Sequence, residues 1–156
     1  MCRFRSRKLR TPMAQETFAI FTATGGANEL WSFGDDVYAI LRGHCKLREK
    51  LRPYVEAQIA HYSRTGDPIM RPLFYEFPDD ERSWNIDDNY MFGADLLVAP
   101  VLQSGAGRRS VSLPLGASWR DSNSGALYQG GQTIELEAPL EFCPVRIRDD
   151  RPNPMA

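Results

Sequence analysis

The sequence predicts an α+β chain in which a strand–helix–strand piece precedes an antiparallel β-sandwich. Three observations carry this. Apolar residues recur at steps of three and four from Val37 to Tyr62, the spacing of an amphipathic helix. An aromatic and β-branched run stands on either side of that stretch, each of strand composition. Beyond residue 90 the period falls to two, in short runs separated by Gly, Asn and Ser clusters, as in an all-β domain.

Residues 1–17 carry Arg3, Arg5, Arg7, Lys8 and Arg10 with no acid before Glu16. No apolar block follows, so a secretory signal is not indicated. The segment is expected to be a disordered, solvated tail; a basic arm for nucleic acid is the sharper alternative. The run 17–24 reads as a strand ended by Gly25-Gly26, and residues 27–34 as a loop.

Asp35 and Asp36 stand where a helix start favours carboxylates. Pro53 withholds a backbone donor, so the helix is expected to kink or restart there. Gly66 suits the left-handed residue after the last turn. The run 69–77 reads as a strand closed by Pro78, with Pro72 awkward inside it. Residues 79–89 form an acidic linker with one helical turn at most.

In the second unit, residues 90–149, Leu96-Leu97-Val98-Ala99-Pro100-Val101 reads as a buried strand. Val111, Leu113 and Leu115 alternate with polar partners, as do Ile134, Leu136 and Ala138, and then Val145 and Ile147 with Arg146 and Arg148. Turns fall at Gly105-Ala106-Gly107, Ser122-Asn123-Ser124-Gly125 and Gly130-Gly131. Residues 150–156 read as a disordered tail.

Composition narrows the functional classes. The 156 residues are 42% hydrophobic and 25% charged, enough apolar content for a core. Lys+Arg 19 against Asp+Glu 20 gives a net charge of −1, which argues against general nucleic-acid binding. No apolar stretch reaches the roughly 18 residues of a membrane helix. Cys2, Cys45 and Cys143 are odd in number and widely spaced. They suggest no disulfide framework or zinc ribbon, and a reduced, cytoplasmic protein is expected. Cys45 and Cys143 read as small core side chains.

Candidate chemistry is sparse. The doublets Asp35-Asp36, Asp79-Asp80 and Asp87-Asp88 offer paired carboxylates, but helix-start and turn chemistry accounts for each. His44 and His61 are 17 positions apart on the helix and do not make a shared metal site. No GxSxG, GxxxxGK[ST] or GxGxxG pattern occurs, so no cofactor is indicated. Loop 24–34 is the most informative feature. Asn28, Glu29 and Trp31 lie between a strand and a helix, where α/β folds place ligands. A Trp in that place can stack on a sugar face and Asn28 and Glu29 can bond hydroxyls; the packing alternative, which buried aromatics more often serve, has Trp31 and Phe33 under the helix start as a hydrophobic staple.

Four segments then carry a resemblance. Asn28-Glu29-Leu30-Trp31-Ser32-Phe33-Gly34, Leu51-Arg52-Pro53-Tyr54, residues 70–80 (MRPLFYEFPDD) and residues 90–101 (YMFGADLLVAPV) stand in order. Together, over about residues 18–149, they resemble the C-terminal part of glycoside hydrolase family 31, the α-glucosidase and α-xylosidase family. Leu113-Pro114 and Gly116, followed by Trp119, resemble its β-domain strand pair. The resemblance implies that residues 18–78 are the last strands and helix of a (β/α)8 barrel and residues 90–149 the sandwich that follows.

A barrel needs about 250 residues, so the rest of it is expected in sequence this chain does not hold, and that missing portion becomes a candidate partner. A single helix with two strands cannot cover both faces of a parallel sheet by itself. The family retains anomeric configuration through two aspartates on earlier barrel strands, the nucleophile within a Trp-x-Asp-Met-Asn-Glu type motif. That motif does not occur here, so no catalytic residue is assigned. An Arg-x-His-Gly segment that touches sugar in many members is replaced by Thr22-Ala23-Thr24-Gly25, and Glu29-Leu30-Trp31 stands for the family's Glu-Pro-Trp. The expected ligand of the complete enzyme is an α-glycoside, with Asn28, Glu29 and Trp31 as substrate-binding candidates. Two other readings remain at this point: a carbohydrate-binding sandwich using Trp84 or Trp119, and a structural or interaction remnant of a decayed enzyme.

Overall fold

A computed structural model describes residues 30–103 and 105–155. The basic segment 1–17, the strand expected at 17–24, and the candidates Asn28 and Glu29 lie outside the described residues.

The described chain mixes one long helix with antiparallel sheets. A 3-10 turn, Leu30–Phe33, leads into helix α1, Asp35–Thr65. Gly34 (φ 91°) occupies the cap position, so Asp35 and Asp36 sit in the first turn, at the positive end of the helix. Gly66 ends the helix in the left-handed region, its N–H donating to the Tyr62 carbonyl at 2.8 Å. Contrary to the expected restart, α1 runs through Pro53 without a break. The proline ring lies exposed, so the lost backbone bond falls on the solvent side, while Leu51, Tyr54 and Val55 hold the opposite face on the core.

The expected strand 69–77 is mostly not a strand. Only Met70–Pro72 (β1) is extended; Leu73–Glu76 (α2) is a helical turn. Leu73 and Phe77 thereby both enter one apolar cluster, one helical turn apart rather than the roughly 13 Å that an extended run would put between them. β1 pairs antiparallel with β2 (Tyr90–Phe92), Pro72 opposite Tyr90. Because β1 is the edge strand, Pro72 leaves no ladder bond unmade.

The remaining strands are β3 (Leu96–Val98), β4 (Arg108–Leu113), β5 (Ser118–Asp121), β6 (Leu127–Gln129), β7 (Gln132–Glu137) and β8 (Val145–Arg148). The main sheet runs β1-β2-β3-β8-β5-β6, and β4 pairs with β7 in a second sheet. Every recorded pairing is antiparallel.

The main sheet buries both faces. Met91, Leu97 and Trp119 face Val111 and Leu113 of the second sheet, in a cluster completed by Leu73, Phe77 and Ala99. Phe92, Leu96, Val98, Val145 and Ile147 face α1 through Leu51. That explains why β3 reads as an unbroken apolar run rather than an alternating one.

Other expectations need correcting. Leu115 lies past the end of β4 and is exposed, and Cys45 is exposed on α1. Within the tail, Met155 packs on the Leu51 cluster.

Candidate functional site

Trp31 is the one substrate-binding candidate the structure describes. It lies on the 3-10 turn at the head of α1 with 71% of its surface exposed, and Phe33 beside it is exposed too. The staple alternative therefore does not hold among the described residues: neither ring is tucked under the helix.

The acidic doublets separate into structural roles. Asp35 and Asp36 are exposed on the first turn of α1. Asp80 is buried, capping the 3-10 turn Glu81–Asn85 through the Arg82 N–H, accepting the Leu115 N–H at 2.8 Å, and pairing with the Arg82 guanidinium at 2.9 Å. Arg82 holds its carboxyl below the usual range. Asp88 pairs with Arg109 at 2.8 Å, while Asp79 and Asp87 are exposed. A glycosidase acid must be held protonated by its surroundings. Asp67, Asp80 and Asp150 all move the other way.

The two histidines sit in different clefts. Half-buried His44 lines an apolar cleft of about 520 Å³ with Ile40, Leu47, Leu96, Phe142 and Cys143. Burial lowers the His44 pKa and raises the Cys143 thiol to about 12, so both are neutral there at physiological pH. His61 lies at the other end of α1, in a polar cleft of about 570 Å³ that no sequence motif marks. Its Nε2 meets Asp67 Oδ2 at 2.8 Å, and Tyr75 Oη donates to Asp67 Oδ1 at 2.6 Å. Arg71 and Glu76 close the same cleft as a pair 2.7 Å apart. Among the described residues, no three His, Cys, Asp or Glu side chains converge as a metal site.

The hydrogen bond from Tyr75, with those from Thr65 and His61, lowers the Asp67 pKa to about 2. A carboxyl depressed in the folded state stabilises it above the unfolded pKa, and that contribution disappears as pH falls from about 4 towards 2. The thermal midpoint of the native chain is therefore expected to fall more steeply over this window than that of Asp67→Asn. Parallel curves for the two proteins would contradict the assignment.

The remaining tryptophans divide sharply. Trp119 is wholly buried, its ring 5.7 Å from that of Phe77. Trp84 is 59% exposed. It stacks on Phe74 at 4.8 Å with 13° between the planes, and its Nε1–H donates to the Pro78 carbonyl at 3.1 Å.

Comparison with known proteins adds a consistent group of relatives. A family model described as "Glycosyl hydrolase family 31 C-terminal domain" matches residues 66–151. "Alpha-glucosidase 2" of Bacillus thermoamyloliquefaciens is 37% identical over 120 residues, covering 77% of this chain and 15% of that protein. The solved GH31 α-xylosidase from a soil metagenome, complexed with xylose, superposes with a TM-score of 0.79 at 52% identity, over 81% of this chain and 19% of that one. A Flavobacterium johnsoniae GH31 dextranase complexed with isomaltotriose gives 0.76 at 38%, over 80% of this chain and 15% of that one. The chain thus spans less than a fifth of the length of each of these proteins.

Proposed function

Because the chain belongs to glycoside hydrolase family 31, we propose that it is the C-terminal portion of a retaining α-glycosidase acting on an α-glucoside or α-xyloside, and that it does not itself hold the catalytic aspartates. The observation that carries this reading is the match of residues 66–151 to the family's C-terminal domain, within relatives of which the aligned part of this chain covers less than a fifth. Retaining hydrolysis takes two carboxyls about 5–5.5 Å apart, one nucleophile and one acid/base. The structural duties of Asp67, Asp80 and Asp88 leave those groups engaged elsewhere.

The portion's task is mechanical and positional. The six-stranded sheet anchors the middle of α1, and the head of α1 presents Trp31 to solvent. There the ring would lie against a sugar held by the rest of the barrel, with Asn28 and Glu29 as hydroxyl partners.

The test is a graft. The aligned segment of the soil-metagenome α-xylosidase, replaced by the corresponding residues of this chain, is expected to give soluble enzyme that still turns over aryl α-xyloside. The 156-residue chain by itself is expected to show no hydrolysis of aryl α-glucosides or α-xylosides above buffer. Turnover by the lone chain, abolished by replacing one of its aspartates, would overturn the reading.

A further inference from the structure

We propose that the open face of Trp84 is a surface carbohydrate site, distinct from the Trp31 loop, that stacks on the C–H face of a pyranose. The proposal rests on the carbohydrate reading above and extends it to a second position.

Four observations carry it. The Trp84 ring uses one face against Phe74, in near-parallel contact, and leaves the indole 59% exposed. Its Nε1–H is tied to the Pro78 carbonyl, so the ring plane is fixed before any ligand arrives and little ordering cost remains on binding.

The turn that carries it is firmly fastened. Ser83 is buried with its Oγ donating to the Phe77 carbonyl at 2.8 Å, and Asp80 joins the turn to the Leu115 N–H and to Arg82. Arg82 in turn donates to the Gly131 carbonyl at 2.8 Å.

The rim selects the ligand class. Asp79, Glu81, Asn85 and Asp87 are all exposed on the same segment. A flat apolar plane on a segment rich in exposed acceptors, where the exposed Arg82 is engaged by Asp80, suits a neutral polyhydroxyl ring, whose C–H face stacks while its hydroxyls donate. The same negative rim disfavours phosphorylated or nucleotide ligands.

The three tryptophans, Trp31, Trp84 and Trp119, make a self-contained experiment. In the ¹⁵N-labelled chain each gives one indole N–H signal, identified with Trp31→Phe and Trp84→Phe. Isomaltotriose is titrated, with mannitol as an acyclic polyol of similar polarity. The expected result is a saturable movement of the Trp84 signal with a millimolar Kd, a still Trp119 signal, and no saturation with mannitol. Trp84→Ala, followed by isothermal titration calorimetry because it removes the reporting signal, is expected to weaken binding by up to about tenfold, as loss of a stacking contact does.

The wild-type titration does not depend on any variant folding. No saturable movement at Trp84, or an equal response to mannitol, overturns the proposal. Movement confined to Trp31 also overturns it and leaves the family reading standing, since the graft experiment tests that separately.

Discussion

Gly93→Ala is expected to destabilise the chain by roughly 2–5 kcal/mol, the sum of about 1–2 for a side chain in the left-handed region and about 1–3 for overpacking. Gly93 joins β2 to β3 with φ +64°, and its N–H donates to the Ile69 carbonyl at 2.7 Å. A Cβ placed there would come within 2.1 Å of Tyr54 Oη and 2.8 Å of the Gln58 side chain. Tyr54 cannot simply swing away. Its hydroxyl donates to the Phe92 carbonyl at 2.8 Å, it packs on the Leu51 cluster, and burial together with Asp95 pushes its pKa up.

This contact is where the long helix is pinned to the main sheet, so loosening it should free the Trp31 end of α1 as well. Urea unfolding followed by far-UV circular dichroism measures the cost. The double variant Gly93→Ala/Tyr54→Phe is expected to lose less than the sum of the two single losses, because removing the hydroxyl relieves the nearer clash. A Gly93→Ala midpoint equal to the parent's, or strictly additive losses, would show that the close approach is not what holds the helix.

The same region shows which parts of the fold were legible. α1 was readable because its buried positions, among them Leu41, Leu51, Tyr54 and Val55, fall at helical steps, with Gly66 supplying a clear stop. β4, β7 and β8 were readable because apolar and polar residues alternate in β4 and β7, and in β8 in sequence. Residues 73–76 misled because Leu-Phe-Tyr-Glu has strand composition. In the fold they make one helical turn that brings Leu73 and Phe77 close together in one cluster, a tertiary contact that composition does not carry.

Trp84 and Trp119 were equivalent as letters. Only the packing of β5 between its neighbours buries one, while the turn at 81–85 leaves the other open. The His61–Asp67–Tyr75 cluster was hidden for a related reason. Its members lie on the end of a helix, the turn after it, and the helical turn α2, and no short motif spans them. Of the candidate sugar contacts, only Trp31 falls among the described residues, and its ring is exposed. The alternation of β8 misplaced Arg146, which is buried with the apolar residues on either side of it.

That residue supports the second large effect. Arg146 is 2% exposed, with its Nη2 3.1 Å from Asp121 Oδ2 and its Nη1–H donating to its neighbour's carbonyl at 2.9 Å. Its Nε finds no hydrogen-bond partner among the described residues. Burial lowers its pKa, and Asp121 acts against that shift. Asp121 also accepts the N–H groups of Asn123 and Ser124 at 2.6 and 3.1 Å, shaping the turn after β5.

The two partners are therefore not equivalent. Asp121→Asn keeps an acceptor for the turn but leaves a buried guanidinium without its counter-charge, and removing one member of such a pair costs about 3–5 kcal/mol. Arg146→Met removes the charge, its desolvation cost and the orphaned Nε together while keeping a linear apolar side chain. The Asp121 carboxylate left behind is the more exposed partner and keeps the Asn123 and Ser124 N–H bonds, so a loss smaller than that of Asp121→Asn is expected, and only the pair of substitutions replaces the buried ions as a unit. Adding Arg146→Met to Asp121→Asn should then restore most of what Asp121→Asn lost. Equal losses from the two single substitutions, or no recovery in the pair, would mean that Asp121 acts through its turn alone and that the buried cation is tolerated without it.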